Sequence, residues 1–389
     1  MRYEIPDPHT IVLRLPEPNP DFLGDVLAER NNFILAREVK EEYGDFKNMA
    51  VGTGPYMLKR YVPQQTVELE RNPEWREKGF DGKPLPYIED IQMPVLADYT
   101  AGVAATRAGQ ADLNYVTGFL RRDADALRAE KQLKLAMYQD VAPVPRGFWM
   151  DVSQPPFADV RLRRALALAI DHDEVIEGGY QGGAIRTGHL PAAIMDYAWA
   201  PTKVREKFKP DRERAKQLLV EAGYPPGSLK FTMKTGSVPQ DVAGAEVVQN
   251  HFKLVGVEAN IEQVPGFVAT TIRRRDYHAA WGGMTPASLF PGRWMGGFLR
   301  CGDSRNVTNL CDQEIDRLSL AQEREIDPAK RKVILGQLQD KLFELMPTVP
   351  TQSLVYYRFY SCRVKNMPPT EWTQQLTGVA RAWLDSSGC

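Results

Sequence analysis

"LKFTMKTGSVPQDVAGAEVVQNHFKLVGVEANIEQV", residues 229–264, changes its hydrophobic period twice, and those changes decide the fold class. In "LKFTM" (229–233), Leu229, Phe231 and Met233 stand two apart, as on one face of a strand. In "DVAGAEVVQNHFKLVG", Ala245, Val248, Phe252 and Val255 stand three and four apart, the stripe of a helix with one buried face. Asp241 is placed to cap that helix and Gly256 to end it. "VEANIEQV" (257–264) returns to strand, a helix is predicted across "FVATTIRRRD", and "YHAAW" (277–281) reads as a third strand. This β-α-β-α-β order predicts a parallel sheet with helices packed on its faces.

A similar passage lies earlier: strand "IEDIQMPV" (88–95), helix "DYTAGVAATRAG" (98–109) and strand "ADLNYV" (111–116). Two separated α/β sheets in 389 residues predict two lobes, because one core rarely grows that large. Between them, "VAPVPRGFWMDVSQPPF" (141–157) holds four prolines and no helical period, and reads as a crossover. Helices follow. Asp159 caps one with Leu162, Ala165, Leu166, Ala169 and Ile170 on its buried side, and Asp171 with Glu174 forms a capping box for the next. Near the end, Asp327 and Pro328 open a helix whose Val333, Leu335, Leu338, Leu342 and Leu345 are expected to face a core before Pro347 stops it. "TQSLVYYRFYS" is then a strand.

Composition narrows the function. Lysine and arginine total 49 against 50 acidic residues, a formal net charge of −1, so no electrostatic footprint for a nucleic acid exists. No run of 18 apolar residues occurs, and the first residues carry neither the basic nor the apolar region of a signal peptide. HExxH, GxSxG, P-loop and dinucleotide-binding motifs are absent. The five histidines are scattered without an i, i+4 pair, so neither a metal nor a cofactor is expected; His278 alone lies near the proposed cleft. Cys301 and Cys311 flank a polar, turn-rich segment that a disulfide could close in an oxidising compartment; two free thiols are the alternative.

In open α/β sheets, ligands sit outside the carboxyl ends of the parallel strands. The segments so placed are "KTGSVP" (234–239), "PGF" (265–267), "GGMTPAS" (282–288) and "TGF" (117–119). Trp281 is either a core tryptophan ending its strand or an aromatic wall. Gly282 and Gly283 behind it favour the wall, because they let backbone approach a ligand.

Seven segments in register, among them "VGTGPYMLKRYVPQQTVELERNPEW", "QPPFADVRLRRALALAIDHDEVI" and "RAKQLLVEAGYP", make the chain resemble family 5 of the extracellular solute-binding proteins, the peptide receptors of ABC importers. The resemblance implies a two-lobed periplasmic-binding-protein-like α/β fold closing on its ligand, delivery to a membrane ABC permease, no chemistry, and an exported, periplasmic or lipid-anchored monomer. The first lobe is expected over 1–145, completed by 361–389, and the second over 146–360. "EIPDPHTIVLRLPEPNPDF" (4–22) resembles a passage that relatives reach only after a sizeable N-terminal portion. A signal sequence, opening strands and much of an extra N-terminal subdomain are therefore expected to be missing, leaving a chain of low stability.

Candidate ligand contacts are Tyr115 and Thr117 from the first lobe and Thr235, Trp281, Gly282, Gly283 and Thr285 from the second. Arg146 and Arg293 are candidates to pair with a ligand carboxylate, against the alternative of surface arginines. Peptide-binding relatives usually place an aspartate after the tryptophan and glycine of this strand end, to hold the ligand's α-ammonium. Here Gly282, Gly283, Met284, Thr285, Pro286 and Ala287 follow Trp281. A buried ammonium without a partner is costly, so the ligand lacks a free α-amino group or the acid comes from elsewhere. A cleft hydrolase using carboxylates and the ligand-sensing domain of a regulator are the rival readings.

Overall fold

The alternation over 229–264 is realised as strand Lys230–Thr235, helix Pro239–Leu254 and strand Glu258–Gln263, the two strands parallel and paired residue for residue from Lys230↔Glu258 to Thr235↔Gln263. Strand Ala279–Gly283 adds on the other side, also parallel, with Trp281 opposite Thr235. The computed structural model describes residues 1–389 except 29–34, 47–49, 97, 115–118, 143, 192–195, 273, 284–289, 293–297, 368–377, 386 and 388–389, and the side chains of Tyr138 and Asp140.

Beyond these three strands the sheet turns mixed. Strand Arg146–Met150 runs antiparallel to Ala279–Gly283, and Thr348–Ser361 runs antiparallel to Arg146–Met150. The short strand Ala184–Arg186 pairs with Thr348–Ser361 in turn. The expected crossover at 141–157 thus contains a central strand. Phe148, Trp149 and Met150 are all buried, so both faces are covered and no alternation of polar and apolar residues marks the strand.

Helix Pro239–Leu254 lies on one face. Ala245, Val248, Phe252 and Val255 are at most 1% exposed, as their spacing predicts. Its cap is Val238, with Pro239 in the first turn, so Asp241 sits inside the helix and its carboxylate is not a cap. Asp159, Asp171 and Asp327 do cap their helices, each accepting backbone N–H bonds, whereas the Glu174 side chain turns to His251 Nε2 at 2.6 Å. Along helix Pro328–Leu345, Leu335, Leu338 and Leu342 are buried but Val333 is 62% exposed, because a step of two residues carries it off the apolar stripe. "FVATTIRRRD" forms only the short π-helical turn Val268–Ile272.

The chain divides into two compact units, one of residues 1–29 and 141–354, the other of 30–140 and 355–389. Residues 1–29 join the larger unit and not the 1–145 lobe to which the sequence assigned them. Asp21 explains why. It is 6% exposed, accepts from Arg331 Nη1 at 2.6 Å, and accepts the Gly292 N–H at 2.9 Å, while Glu17 pairs with Arg324.

The smaller unit holds an antiparallel meander of strands Tyr56–Val62, Thr66–Arg71 and Asp90–Pro94, in place of the parallel passage expected around 88–116. The first two join through only three residues, a hairpin connection. Helix Tyr99–Arg107 follows, capped by Asp98, and helix Arg121–Ala129 after it; their Val103, Ala124 and Leu127 pack with Phe119, Tyr357 and Phe359.

Candidate functional site

The carboxyl ends of the three parallel strands and the amino end of antiparallel Arg146–Met150 meet at one edge of the larger unit's sheet. Two rows of residues cross the sheet there on the face covered by helix Pro239–Leu254. The inner row reads Thr235, Trp281, Phe148 and Val349. The outer row, nearer the edge, reads Gly283, Arg146, Gln352 and Arg186, with Gln352 three residues on from Val349 because the register shifts after Pro350.

Trp281 is 0% exposed and is the largest fully buried side chain among the described residues. Helix Pro239–Leu254 lies over its indole through Gly244, where a Cβ would come within 2.8 Å of Trp281 Nε1 and 3.0 Å of the Tyr180 hydroxyl. This tryptophan is core and presents no wall to a ligand, which corrects the stacking role expected of it. The two glycines behind it are covered as well. Phe267 lies over Gly282, whose φ of +150° suits glycine, and the Gly282 carbonyl accepts from Trp149 Nε1 at 2.9 Å. The stem and guanidinium of Arg146 lie across Gly283, with Cγ and Cζ each 3.4 Å from where its Cβ would stand. The glycine pair therefore makes room for the protein's own side chains, one on each face.

Arg146 donates from Nη1 to Asp241 Oδ1, and Tyr180 donates its hydroxyl to the same oxygen at 3.2 Å. The side chains of Arg146 and Asp241 are 18% and 9% exposed, and Tyr180 is buried. Burial, then the charge of Asp241, pushes the Tyr180 phenol well above its ordinary range, so it acts as a neutral donor. Asp241 occupies the first helical turn, where the helix dipole favours a carboxylate. The sequence offered Arg146 to a ligand carboxylate and Asp241 as a cap; the structure joins them in one ion pair. Nothing short-range in the sequence could have paired residues 95 apart.

Of the described ligand candidates, only Arg146 and Gly283 keep exposed surface. Thr235 is 0% exposed, and its hydroxyl, like Gln352 Nε2, finds no hydrogen-bond partner among the described residues. Gln352 was missed because its strand reads as wholly buried and its amide gives no motif. Tyr115, Thr117, Thr285 and Arg293 lie outside the described residues. Cys301 and Cys311 are joined by a disulfide, which decides between the two alternatives the sequence left open.

The opposite edge of the sheet carries a cavity of about 470 Å³ lined by Asp151, Lys230, Lys234, Asp276 and His278, among others. His278 belongs to that edge and not to the one proposed for the ligand. Polar groups of this cavity are bonded within the protein: Lys234 pairs with Asp276 at 3.0 Å and Asp151 accepts from the Asn309 amide at 3.0 Å. Among the described residues no cluster of His, Cys, Asp or Glu could hold a metal, and no helix is long and apolar enough to cross a membrane.

Comparison with known proteins gives this arrangement its context. The glutathione-binding protein of Salmonella typhimurium is 24% identical over 385 residues, covering 94% of this chain and 70% of that protein. A Brucella ovis protein named as an ABC transporter peptide-binding protein is 29% identical over 247 residues, 60% of this chain and 42% of its own length. Among solved structures, the periplasmic binding protein DppA of Helicobacter pylori in complex with peptide STSA matches with a TM-score of 0.81 at 20% identity, over 99% of this chain and 75% of that one. The family model for bacterial extracellular solute-binding proteins, family 5 middle, matches residues 2–306. The chain therefore belongs to the family 5 extracellular solute-binding proteins, non-enzymatic substrate-binding components of ABC transporters for peptides and other small solutes.

Proposed function

We propose that this chain captures a small peptide-like solute outside the inner membrane and hands it, as a monomer, to a membrane ABC permease. Membership of the family over residues 2–306 carries this reading. The names of its relatives, one glutathione-binding and one peptide-binding, support a solute of that size and polarity. The seat on the larger unit is the carboxyl edge of the parallel strands, with Arg146 and Gly283 at its surface, Gln352 buried beside them, and Thr235 and Trp281 one row further in. Helix N-termini and strand ends converge at such an edge, which supports placing the ligand there.

The ligand lacks a free α-amino group. No acid stands among the six residues after Trp281, and the acid that the structure brings to the edge, Asp241, is already bonded to Arg146 and Tyr180. Among the described residues of that edge, a buried ammonium would meet Asp241 only as a carboxylate already shared. Calorimetry with di- to pentapeptides, free and N-acetylated, tests this: the acetylated forms should bind at least as well as the free ones. Tight binding of free peptides that is lost on acetylation would contradict it.

A further inference from the structure

We propose that Asp241 acts as a built-in counter-ion that sets the ligand's charge at the other terminus: by occupying Arg146, it excludes solutes bearing a free carboxylate. This rests on placing the seat at the carboxyl edge, and it goes further by naming the residue that reads charge there.

Of the outer row's two arginines, Arg186 is held by Asp173 at 2.7 Å, while Arg146 is the more exposed, at the position from which an arginine would meet an incoming carboxylate. Its partner is not a mobile surface acid. Asp241 sits in the first turn of a 16-residue helix, is 6% exposed, and has a second donor in the Tyr180 hydroxyl at 3.2 Å. That helix is held in place by the close crossing of Gly179 and Gly244, which fixes Tyr180 and Asp241 together. A ligand carboxylate would have to displace Asp241, leaving a buried carboxylate without its cation, or approach the guanidinium beside it against like charge. A neutral amide or hydroxyl meets neither obstacle. Discrimination therefore comes from an internal repulsive element and not from an added contact.

Asp241→Asn keeps the shape and the Tyr180 bond while removing the charge. The experiment follows the Arg146 guanidinium by side-chain ¹⁵N NMR during titration with acetate, and compares N-acetyl peptides ending in a free carboxylate or an amide by calorimetry. In the native protein acetate should leave the Arg146 signal unmoved, and amides should bind better than acids. In Asp241→Asn acetate should move that signal, and the acid-to-amide affinity ratio should rise by about tenfold. The double variant Arg146→Gln, Asp241→Asn should lose the gain.

The proposal falls if acetate moves the Arg146 signal as far in the native protein as in the variant, or if Asp241→Asn leaves the acid-to-amide ratio unchanged. Should Asp241→Asn not fold, the native titration decides alone. If acetate reaches Arg146 only in the variant while no peptide of either form disturbs that signal in any of the proteins, the gating role of Asp241 stands and the placement of the seat fails.

Discussion

Trp281 carries a lesson about single residues: an indole followed by two glycines reads equally well as a binding wall and as a core side chain needing close neighbours. Burial at 0%, with Gly244 and Tyr180 pressed against it, selects the core. Trp281→Ala should then cost about 3–5 kcal/mol in urea unfolding, the cost of a large cavity, and a change under ~1 kcal/mol would show that the indole is not packed. Two histidines set a pH dependence. Burial lowers His172 to about 3 and His189 to about 4, against ~6.5 for an unfolded histidine. Between these values the unfolded chain binds more protons than the folded one. Stability is thus full above about pH 6.5 and falls as pH drops towards 4, by on the order of 2 kcal/mol per histidine at pH 5. His172 stacks at 5.1 Å on Phe208, and neither of its ring nitrogens has a partner among the described residues, so His172→Phe should flatten the dependence measured by urea unfolding between about pH 7.5 and 5. An unchanged slope would contradict the burial argument.

At the scale of elements, two close contacts hold the larger unit's candidate edge and its flank. A Cβ on Gly179 would stand 2.7 Å from Gly244 Cα, backbone that cannot yield as a side chain can. Gly179→Ala should separate helices His172–Tyr180 and Pro239–Leu254, cost about 1–3 kcal/mol, and weaken solute binding by moving Tyr180 off Asp241. Equal stability of variant and parent would show that the crossing is looser than described. Replacing Cys301 and Cys311 with serine frees a short loop that the disulfide closes, and should cost roughly 2–3 kcal/mol in thermal or urea unfolding. Elements were legible where period and cap agreed, as for helices Val160–Ala169 and Pro328–Leu345, and helix His172–Tyr180 was read from its Asp171 cap alone. Strand Arg146–Met150 was not, since "RGFWM" has no alternation to read and stands among prolines. The third parallel strand runs Ala279–Gly283, two residues later than its hydrophobic pattern suggested. Gly282 and Gly283 add no side chain to a pattern, yet their backbone pairs with Gly147 and Arg146.

Across the whole molecule, the α/β alternation and the order of family-like segments were enough to read the fold class and a solute-binding role from the sequence. The site was only partly legible. The edge of the sheet that would carry it follows from strand order, but the pairing of Arg146 with Asp241, and the attachment of residues 1–29 through Asp21 and Arg331, depend on contacts between distant positions. No local pattern encodes such contacts. The central claim, that solute is held at the carboxyl edge of the parallel strands, is tested most directly by amide hydrogen exchange with and without the tightest-binding N-acetyl peptide amide. Bound peptide should slow exchange at residues 235–241 and 281–283 and leave 151–156 and 275–278, around the cavity at the other edge, unchanged. Protection confined to 151–156 and 275–278 would contradict the account.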